Sequence, residues 1–403
     1  MSIRKKILPM FNYSRRNNID VPWKPLKYER KSKKERKPEK YGGKYNLAII
    51  MGIGKSRDLM QALEDVLKCC GAPLAWEVVT EKIDNNKAFD NMIMAIKRNG
   101  VAIKGNLDKE TVVDETFRPE ISKNMAVRRV LDLHSIITEF KSFKGLKKKM
   151  KIHQNIDLVI VRQNTEGDYG MLEHSPNKKI AERLRVITLN SSERVATTAF
   201  QYADKKNRAK VFCLHKRRLL PLSEEVFING FLLAASRYPH IPYQIMEVSE
   251  GFRAFLKNPK ALDVVVTNSL EGTMLKSVVL GMLGSPCLVA GSNIGDNSVV
   301  FEPAERYKDL QFENPTAHFL SGVLLLEHLG LNLFADAIRH SLEEVFIEGI
   351  LPLDLGGKAS LCSFTTKVIE KLQKKVPYAL CDYNRIPNIP SPHKPDPYKS
   401  FKL

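Results

Sequence analysis

The stretch DLVIVRQNTEGDYG (Asp157–Gly170) joins two opposite kinds of sequence. Its first part, DLVIV (Asp157–Val161), is a short apolar, β-branched run, the pattern of a fully buried strand. Its second part, RQNTEGDYG (Arg162–Gly170), crowds Arg162, Asn164, Glu166 and Tyr169 into one polar loop. Open α/β sheets bind ligands at the carboxyl ends of their strands, so this stretch bears on both architecture and site.

The same strand pattern recurs outward from it. LAIIM (Leu47–Met51), LAWEVV (Leu74–Val79), VAI (Val101–Ile103), KVFCL (Lys210–Leu214) and DVVVT (Asp263–Thr267) are further short apolar runs. Helical spacing follows most of them. Leu59, Leu63, Val66, Leu67 and Cys70 fall on one face of Ser56–Cys70, and Phe89, Met92, Ile93 and Ile96 on one face of the next helix. Strands alternating with helices predict an α/β architecture.

Composition agrees. The 403 residues are 43% apolar and 27% charged, which excludes a collagen, a fully disordered chain or a small disulfide scaffold. No apolar run approaches the roughly 20 residues of a membrane-spanning helix. Six cysteines without a CxxC pair read as reduced thiols rather than a zinc site. Of the formal net charge of +19, residues 1–44 supply +11, with 15 Lys/Arg against 4 Asp/Glu. A basic arm on a mildly basic body argues against a nucleic-acid binder reading with its whole surface. The arm itself reads as a mitochondrial presequence, a solvated linker, or a patch for nucleic acid or nuclear import in Lys27–Lys40. The tail from Asn384, with five prolines, should be irregular.

Other candidate site residues sit in similar positions. GIGKS (Gly52–Ser56) follows a strand and opens a helix, as a phosphate-binding turn does, although a plain tight turn explains it equally well. SKNMAVR (Ser122–Arg128) sets Ser122, Asn124 and Arg128 near a helix start, where Ser122 alone would read as a cap. His215 and Lys216 end another strand. Each has a bland reading as a surface or capping residue. Together they suggest a polyanion pocket with a Tyr/Lys proton-transfer pair, Tyr169 and Lys216.

VRQNTEGDYGMLEH (Val161–His174), His215–Lys216, NPTAHFLS (Asn314–Ser321) and DLGG (Asp354–Gly357) together resemble the β-decarboxylating dehydrogenases, specifically NAD-dependent isocitrate dehydrogenase. The resemblance runs from about Leu47 to Lys374. IMAIKRNGVAIKGNL (Ile93–Leu107) and LVAGSNIG (Leu288–Gly295) look most like the gamma-type regulatory subunit of the mitochondrial enzyme. It implies the isocitrate/isopropylmalate dehydrogenase-like α/β fold, with two subdomains and a clasp, and not a Rossmann fold. Residues 1–44 would be the arm, 45–133 with 284–383 the large subdomain, 134–283 the small subdomain with clasp and dimer surface, and 384–403 the tail.

Carried over residue by residue, the resemblance assigns substrate binding to Ser122, Asn124, Arg128 and Arg162. It assigns catalysis to Tyr169 and Lys216, and cofactor contact, weakly, to Asn314. It also exposes losses. Thr138 stands where the family's A-N-V-R-P segment has its Arg. Thr273 and Ser277 replace the two metal-binding Asp of N-L-x-G-D-x-x-S-D, and Ser249 aligns with the third, donated across the subunit interface. The family's H-G-[ST]-A-P-D-I-A-G nucleotide segment is absent from FEPAERYKDLQFEN (Phe301–Asn314), and G-D-G-I-G becomes IMGIG (Ile50–Gly54). Mg²⁺ prefers carboxylate oxygens, which hydroxyls do not replace.

The resemblance therefore implies a non-catalytic, regulatory-type subunit. The expectation is no metal and no NAD in this chain, with NAD and Mg²⁺ or Mn²⁺ in a catalytic partner subunit, citrate or isocitrate in the residual pocket, ADP as a further ligand, and location in the mitochondrial matrix. The alternative is a pseudoenzyme repurposed as a structural or acidic-partner-binding protein.

Overall fold

The computed structural model describes residues 40–80, 86–108, 122–146, 156–177, 179–304 and 313–376. Most of the expected basic arm and all of the expected Pro-rich tail lie outside them.

One 11-stranded sheet organises these residues. Its first block comprises β2 (Lys44–Ile50), β3 (Leu74–Val79), β4 (Val101–Lys104) and β13 (Val299–Pro303), with β2 parallel to β3 and β4, and β4 parallel to β13. The second block comprises β6 (Asp157–Gln163), β11 (Val264–Thr267), β9 (Val211–His215) and β10 (Tyr243–Glu247), again parallel. Between the blocks stand β12 (Ala290–Ile294) and β5 (Ser135–Lys141), each antiparallel to both of its neighbours. The two blocks thus run in opposite directions. That reversal is absent from the apolar-run pattern, because β5 and β12 carry too many polar residues to stand out.

The helices are α1 (Lys55–Cys70), α2 (Asn86–Asn99), α3 (Lys123–Val130), α4 (Leu189–Lys205), α5 (Pro221–Ala235), α6 (Val248–Lys257), α7 (Ser269–Leu283), α8 (Thr316–His328), α9 (Asn332–Ile347) and α10 (Leu361–Gln373). The predicted strands and the helix over Ser56–Cys70 appear within a few residues of their expected bounds. A strand precedes Lys44 among the described residues. Lys40–Tyr41 forms β1, antiparallel to the start of β2. The two residues between them, Gly42 and Gly43, both have positive φ, which a two-residue hairpin turn requires.

Burial explains the strand composition. Leu158, Val159, Ile160 and Val161 in β6, and Val264, Val265 and Val266 in β11, are all inaccessible or nearly so, because helices cover both faces. One large cluster joins α1, α7, α8, α9 and α10 to the sheet, and a second packs α4 and α5 against β6, β9 and β11. Aromatic rings stitch the first cluster. Phe346 meets Phe143 edge-on at 5.2 Å between centroids and Phe364 at 5.9 Å. The described cysteines Cys69, Cys70, Cys213, Cys287 and Cys362 are not joined in disulfides.

Outside this body stands a two-stranded ribbon, β7 (Leu172–Asn177) and β8 (Ile180–Leu184), exposed along both strands. Isolated two-stranded ribbons are marginal in water. This one is latched by charge: Arg183 pairs with Asp168, while Arg185 reaches Asp168 at 3.7 Å, Glu224 at 3.3 Å and Glu271 at 3.2 Å.

Phe346 is fully buried between three elements, so Phe346→Ala should destabilise the chain by about 3–5 kcal/mol. Urea unfolding followed by tryptophan fluorescence or circular dichroism measures this, and a loss below about 1 kcal/mol would contradict the packing.

Candidate functional site

Five elements converge where the sheet reverses direction. Lys104 ends β4, Glu302 lies near the end of β13, Asn293 lies in β12, Arg162 in β6, and α3 carries Ser122 at its cap, Asn124 and Arg128. Glu302 sits at the centre. Its Oε1 accepts from Arg128 Nη2 at 2.6 Å and from Asn293 Nδ2 at 2.7 Å, and its Oε2 pairs with Lys104 Nζ. Burial pushes the Glu302 carboxyl up, but Arg128 and Lys104 outweigh it and hold it well below the usual carboxylate range. Lys104, 1% exposed, also donates to Asn124 Oδ1 at 2.6 Å.

The chain of hydrogen bonds continues in both directions. Toward β6, Asn293 Oδ1 accepts from Asn164 at 3.0 Å, and Asn164 Oδ1 accepts from Arg162 at 3.3 Å. The Arg162 guanidinium contacts both the Tyr169 hydroxyl and the Thr273 hydroxyl and lies over the Tyr169 ring. Tyr169 Oη and Thr273 Oγ1 are 2.8 Å apart. Burial would raise the Tyr169 phenol, yet Arg162, the Thr273 hydrogen bond, Arg128 and Lys276 bring it below its ordinary value. The stem of Arg162 needs Gly272: a Cβ there would come within 2.7 Å of Arg162 Cγ and 2.2 Å of Thr267 Oγ1.

Toward α3, Asp108 caps the helix. Its Oδ2 accepts from Ser122 Oγ at 2.6 Å and Asn124 Nδ2 at 2.9 Å, and its Oδ1 accepts from the Lys123 N–H at 2.7 Å. The GIGKS turn buttresses this region. Ile53 N–H donates to the Asn106 carbonyl at 2.9 Å, and Ser56 Oγ accepts from Asn106 N–H at 2.8 Å. Lys55 of that turn points instead to an exposed pair with Glu313.

Ser122, Asn124, Arg128, Arg162 and Tyr169 thus belong to one connected network. Lys216 stands elsewhere. It follows β9, which β11 separates from β6, and it makes no hydrogen bond or ion pair with Arg128, Arg162 or Tyr169. Its backbone N–H is held by Glu224 Oε2 at 3.0 Å. Beside it opens a shallow cavity of about 510 Å³ lined by His215, Arg217, Arg218 and Glu247 among others. Asn314 is also separate. Its amide donates to both Asp354 oxygens, at 3.1 and 2.9 Å, and its Oδ1 accepts from the Thr316 N–H and hydroxyl, so it organises the start of α8.

The replacement residues are equally defined. Thr138 is buried in β5. Thr273 takes part in the Arg162–Tyr169 triangle, Ser277 bonds back to the Thr273 carbonyl at 3.0 Å, and Ser249 is exposed on α6. Hydroxyls facing a guanidinium do not suit Mg²⁺, which needs anionic oxygen donors in octahedral array. Lys104, Asn293 and Glu302 lie inside stretches quoted above but are not among the expected site residues, and Asp108 lies outside those stretches. Lys104 alone has a readable signal: a lysine at the carboxyl end of the buried run VAI, followed by Gly105.

The ionised Glu302 contributes stability that is present above its unfolded value of 4.5 and is lost as pH falls toward its lower folded value. Glu302→Gln should therefore destabilise the chain by about 3–5 kcal/mol at pH 7, with the gap to wild type narrowing progressively below pH 4.5. Urea titrations at pH 7, 5 and 4 check this; a gap that widens on acidification would refute the pairing.

The isocitrate/isopropylmalate dehydrogenase family model matches residues 48–372. Isocitrate dehydrogenase [NAD] subunit 1, mitochondrial, of Kluyveromyces lactis is 35% identical over 345 residues, which is 84% of this chain and 94% of that relative. Isocitrate dehydrogenase [NAD] subunit gamma, mitochondrial, of Homo sapiens is 33% identical over 341 residues, covering 83% of this chain and 85% of that relative. The crystal structure of isocitrate dehydrogenase from Methylococcus capsulatus superposes with a TM-score of 0.74 at 26% identity, over 82% of this chain and 99% of that one. On these matches, the chain belongs to the isocitrate/isopropylmalate dehydrogenase family and has its α/β fold.

Proposed function

We propose that the chain is a non-catalytic, regulatory-type subunit of a mitochondrial NAD-dependent isocitrate dehydrogenase, acting beside a catalytic subunit in the oxidation of isocitrate to 2-oxoglutarate. The observation that carries this reading is the triangle of Arg162, Tyr169 and Thr273. By the family correspondence, Thr273 stands where a metal-binding carboxylate belongs, and a cation is seated against it. The developing enolate of a β-decarboxylation then lacks its Lewis acid, while Arg128 and Arg162 remain able to hold carboxylates.

The relatives' printed names support a mitochondrial location and membership of a multi-subunit enzyme. The surface supports a partner as well. On α7, Leu270 and Met274 are 39% and 52% exposed one turn apart, and the ribbon exposes Leu172, Ile180 and Leu184. Apolar residues gathered on such elements mark interaction surfaces more often than solvated ones. ADP, as a ligand next to the pocket, belongs to the same reading.

A second reading, a pseudoenzyme with a purely structural role, is favoured by one observation: Ser122, Asn124 and Arg128 already bond to carboxylates of the chain itself, Asp108 and Glu302.

The purified chain with isocitrate, NAD and Mg²⁺ or Mn²⁺ should form no NADH. Co-purified with a catalytic subunit, it should raise that subunit's activity at subsaturating isocitrate. Citrate dependence of the stimulation should fall roughly tenfold or more on Arg162→Ala, the loss of one charged hydrogen-bonding group. Robust turnover by the chain alone would overturn the proposal. Stimulation indifferent to citrate and to Arg162→Ala would favour the structural reading.

A further inference from the structure

The residues that the family correspondence assigns to one end of the substrate do not face open space. Ser122 Oγ donates to Asp108 Oδ2 at 2.6 Å, and Asn124 Nδ2 donates to the same oxygen at 2.9 Å. The backbone N–H groups of Lys123 and Asn124 reach Asp108 Oδ1 at 2.7 and 3.4 Å. These are two side-chain donors and two helix-start amides, converging on both oxygens of one carboxylate. A helix N-terminus favours an anion both through its free N–H groups and through its dipole. Here the anion is part of the protein.

Local geometry aims it there. Asp108 N–H donates to Asn106 Oδ1 at 3.3 Å, and Asn106 Nδ2 donates to the Asp108 carbonyl at 3.1 Å. Asn106 Oδ1 also accepts from Asn124 Nδ2 at 2.9 Å. The turn that leaves β4 is therefore folded back on itself and pinned to α3. Lys104, two residues before Asn106, is fixed by Asn124 and Glu302. Asp108 is thus held at the helix start by the same segment that supplies Lys104 to the network.

We propose that Asp108 is an internal competitor for the pocket: its side chain occupies the subsite that would otherwise receive one carboxylate of a bound tricarboxylate. This rests on the pocket reading above and adds a specificity determinant to it. A tricarboxylate must displace Asp108 to engage Ser122 and Asn124, and its third carboxylate then lies beside the displaced charge. A dicarboxylate held by Arg162 and its neighbours leaves Asp108 in place. The chain therefore discriminates between the two classes less than a pocket with a free subsite would.

The test is isothermal calorimetry of citrate and of succinate with the full-length chain in chelated, metal-free buffer. Wild type is compared with Asp108→Ala, which vacates the subsite, and with Asp108→Asn, which removes the charge but keeps a carbonyl that still accepts hydrogen bonds. Thermal melting of each variant establishes that it is folded. Citrate should bind Asp108→Ala about tenfold or more tightly than wild type, as expected for freeing charge-assisted hydrogen bonds. Asp108→Asn should fall between, and succinate should change by less than about threefold.

Equal tightening of citrate by Ala and Asn would mean that charge alone acts, and would overturn occupancy of the subsite. Equal tightening of citrate and succinate would overturn it in the same way. No change in either variant, with wild-type binding still weakened by Arg162→Ala, would overturn the proposal and leave the pocket reading standing. Absence of citrate binding to wild type and both variants would overturn the pocket reading together with the proposal.

Discussion

The Glu302 carboxylate is the constraint on which the site depends. It joins β13 to β4 through Lys104, to α3 through Arg128, and to β12 through Asn293. Two cations and an amide around one buried carboxylate keep it ionised, and without them a buried charge of this kind carries a penalty of several kcal/mol. The sheet reverses direction across β12 and β5, so Glu302 ties the first parallel block to β12, the strand where the reversal begins. Remove the carboxylate and the cations of Lys104 and Arg128 lose the anion that they share.

From that centre the polar network runs outward to Ser122 on one side and Thr273 on the other. Its partners are almost all the chain's own groups. Each of these side chains has at least one partner within the chain, and a connected network of this kind holds side-chain orientation. The same saturation gives both the regulatory and the structural readings their footing, because both require a pocket that is formed without turnover.

Much of the fold was legible in the amino-acid sequence, for a simple reason. Parallel strands covered on both faces must be continuous apolar runs, and VAI, DLVIV, KVFCL and DVVVT stand out as such. β5 and β12 did not, because SIITEFK and AGSNI mix polar side chains into the middle of the sheet; Asn293 of β12 serves the network, whereas Ser135 of β5 bonds His134 and Thr198. At the site, Arg162 and Tyr169 were visible because they crowd one loop, and Arg128 because it lies one turn from Asn124 on α3. Glu302 and Asp108 were not. Each is one acidic residue among several in its stretch, and its meaning comes from partners 174 and 14 positions away. Asn314 shows the reverse case: a residue conspicuous in a motif whose contacts are those of a helix start.

The ribbon of β7 and β8 is attached to the body by ions and offers its surroundings apolar side chains. Arg183 and its pair with Asp168 are partly open to water, whereas Arg185 among Asp168, Glu224 and Glu271 is 15% exposed. Added salt weakens the first, more exposed pair and reaches the second, partly buried one far less. Strongly hydrated salts such as sulfate, meanwhile, favour burial of Leu172, Ile180 and Leu184. Ionic composition therefore acts on the two sides of the ribbon in opposite senses, loosening its outer tether to its own chain while strengthening its tendency to be covered by another surface.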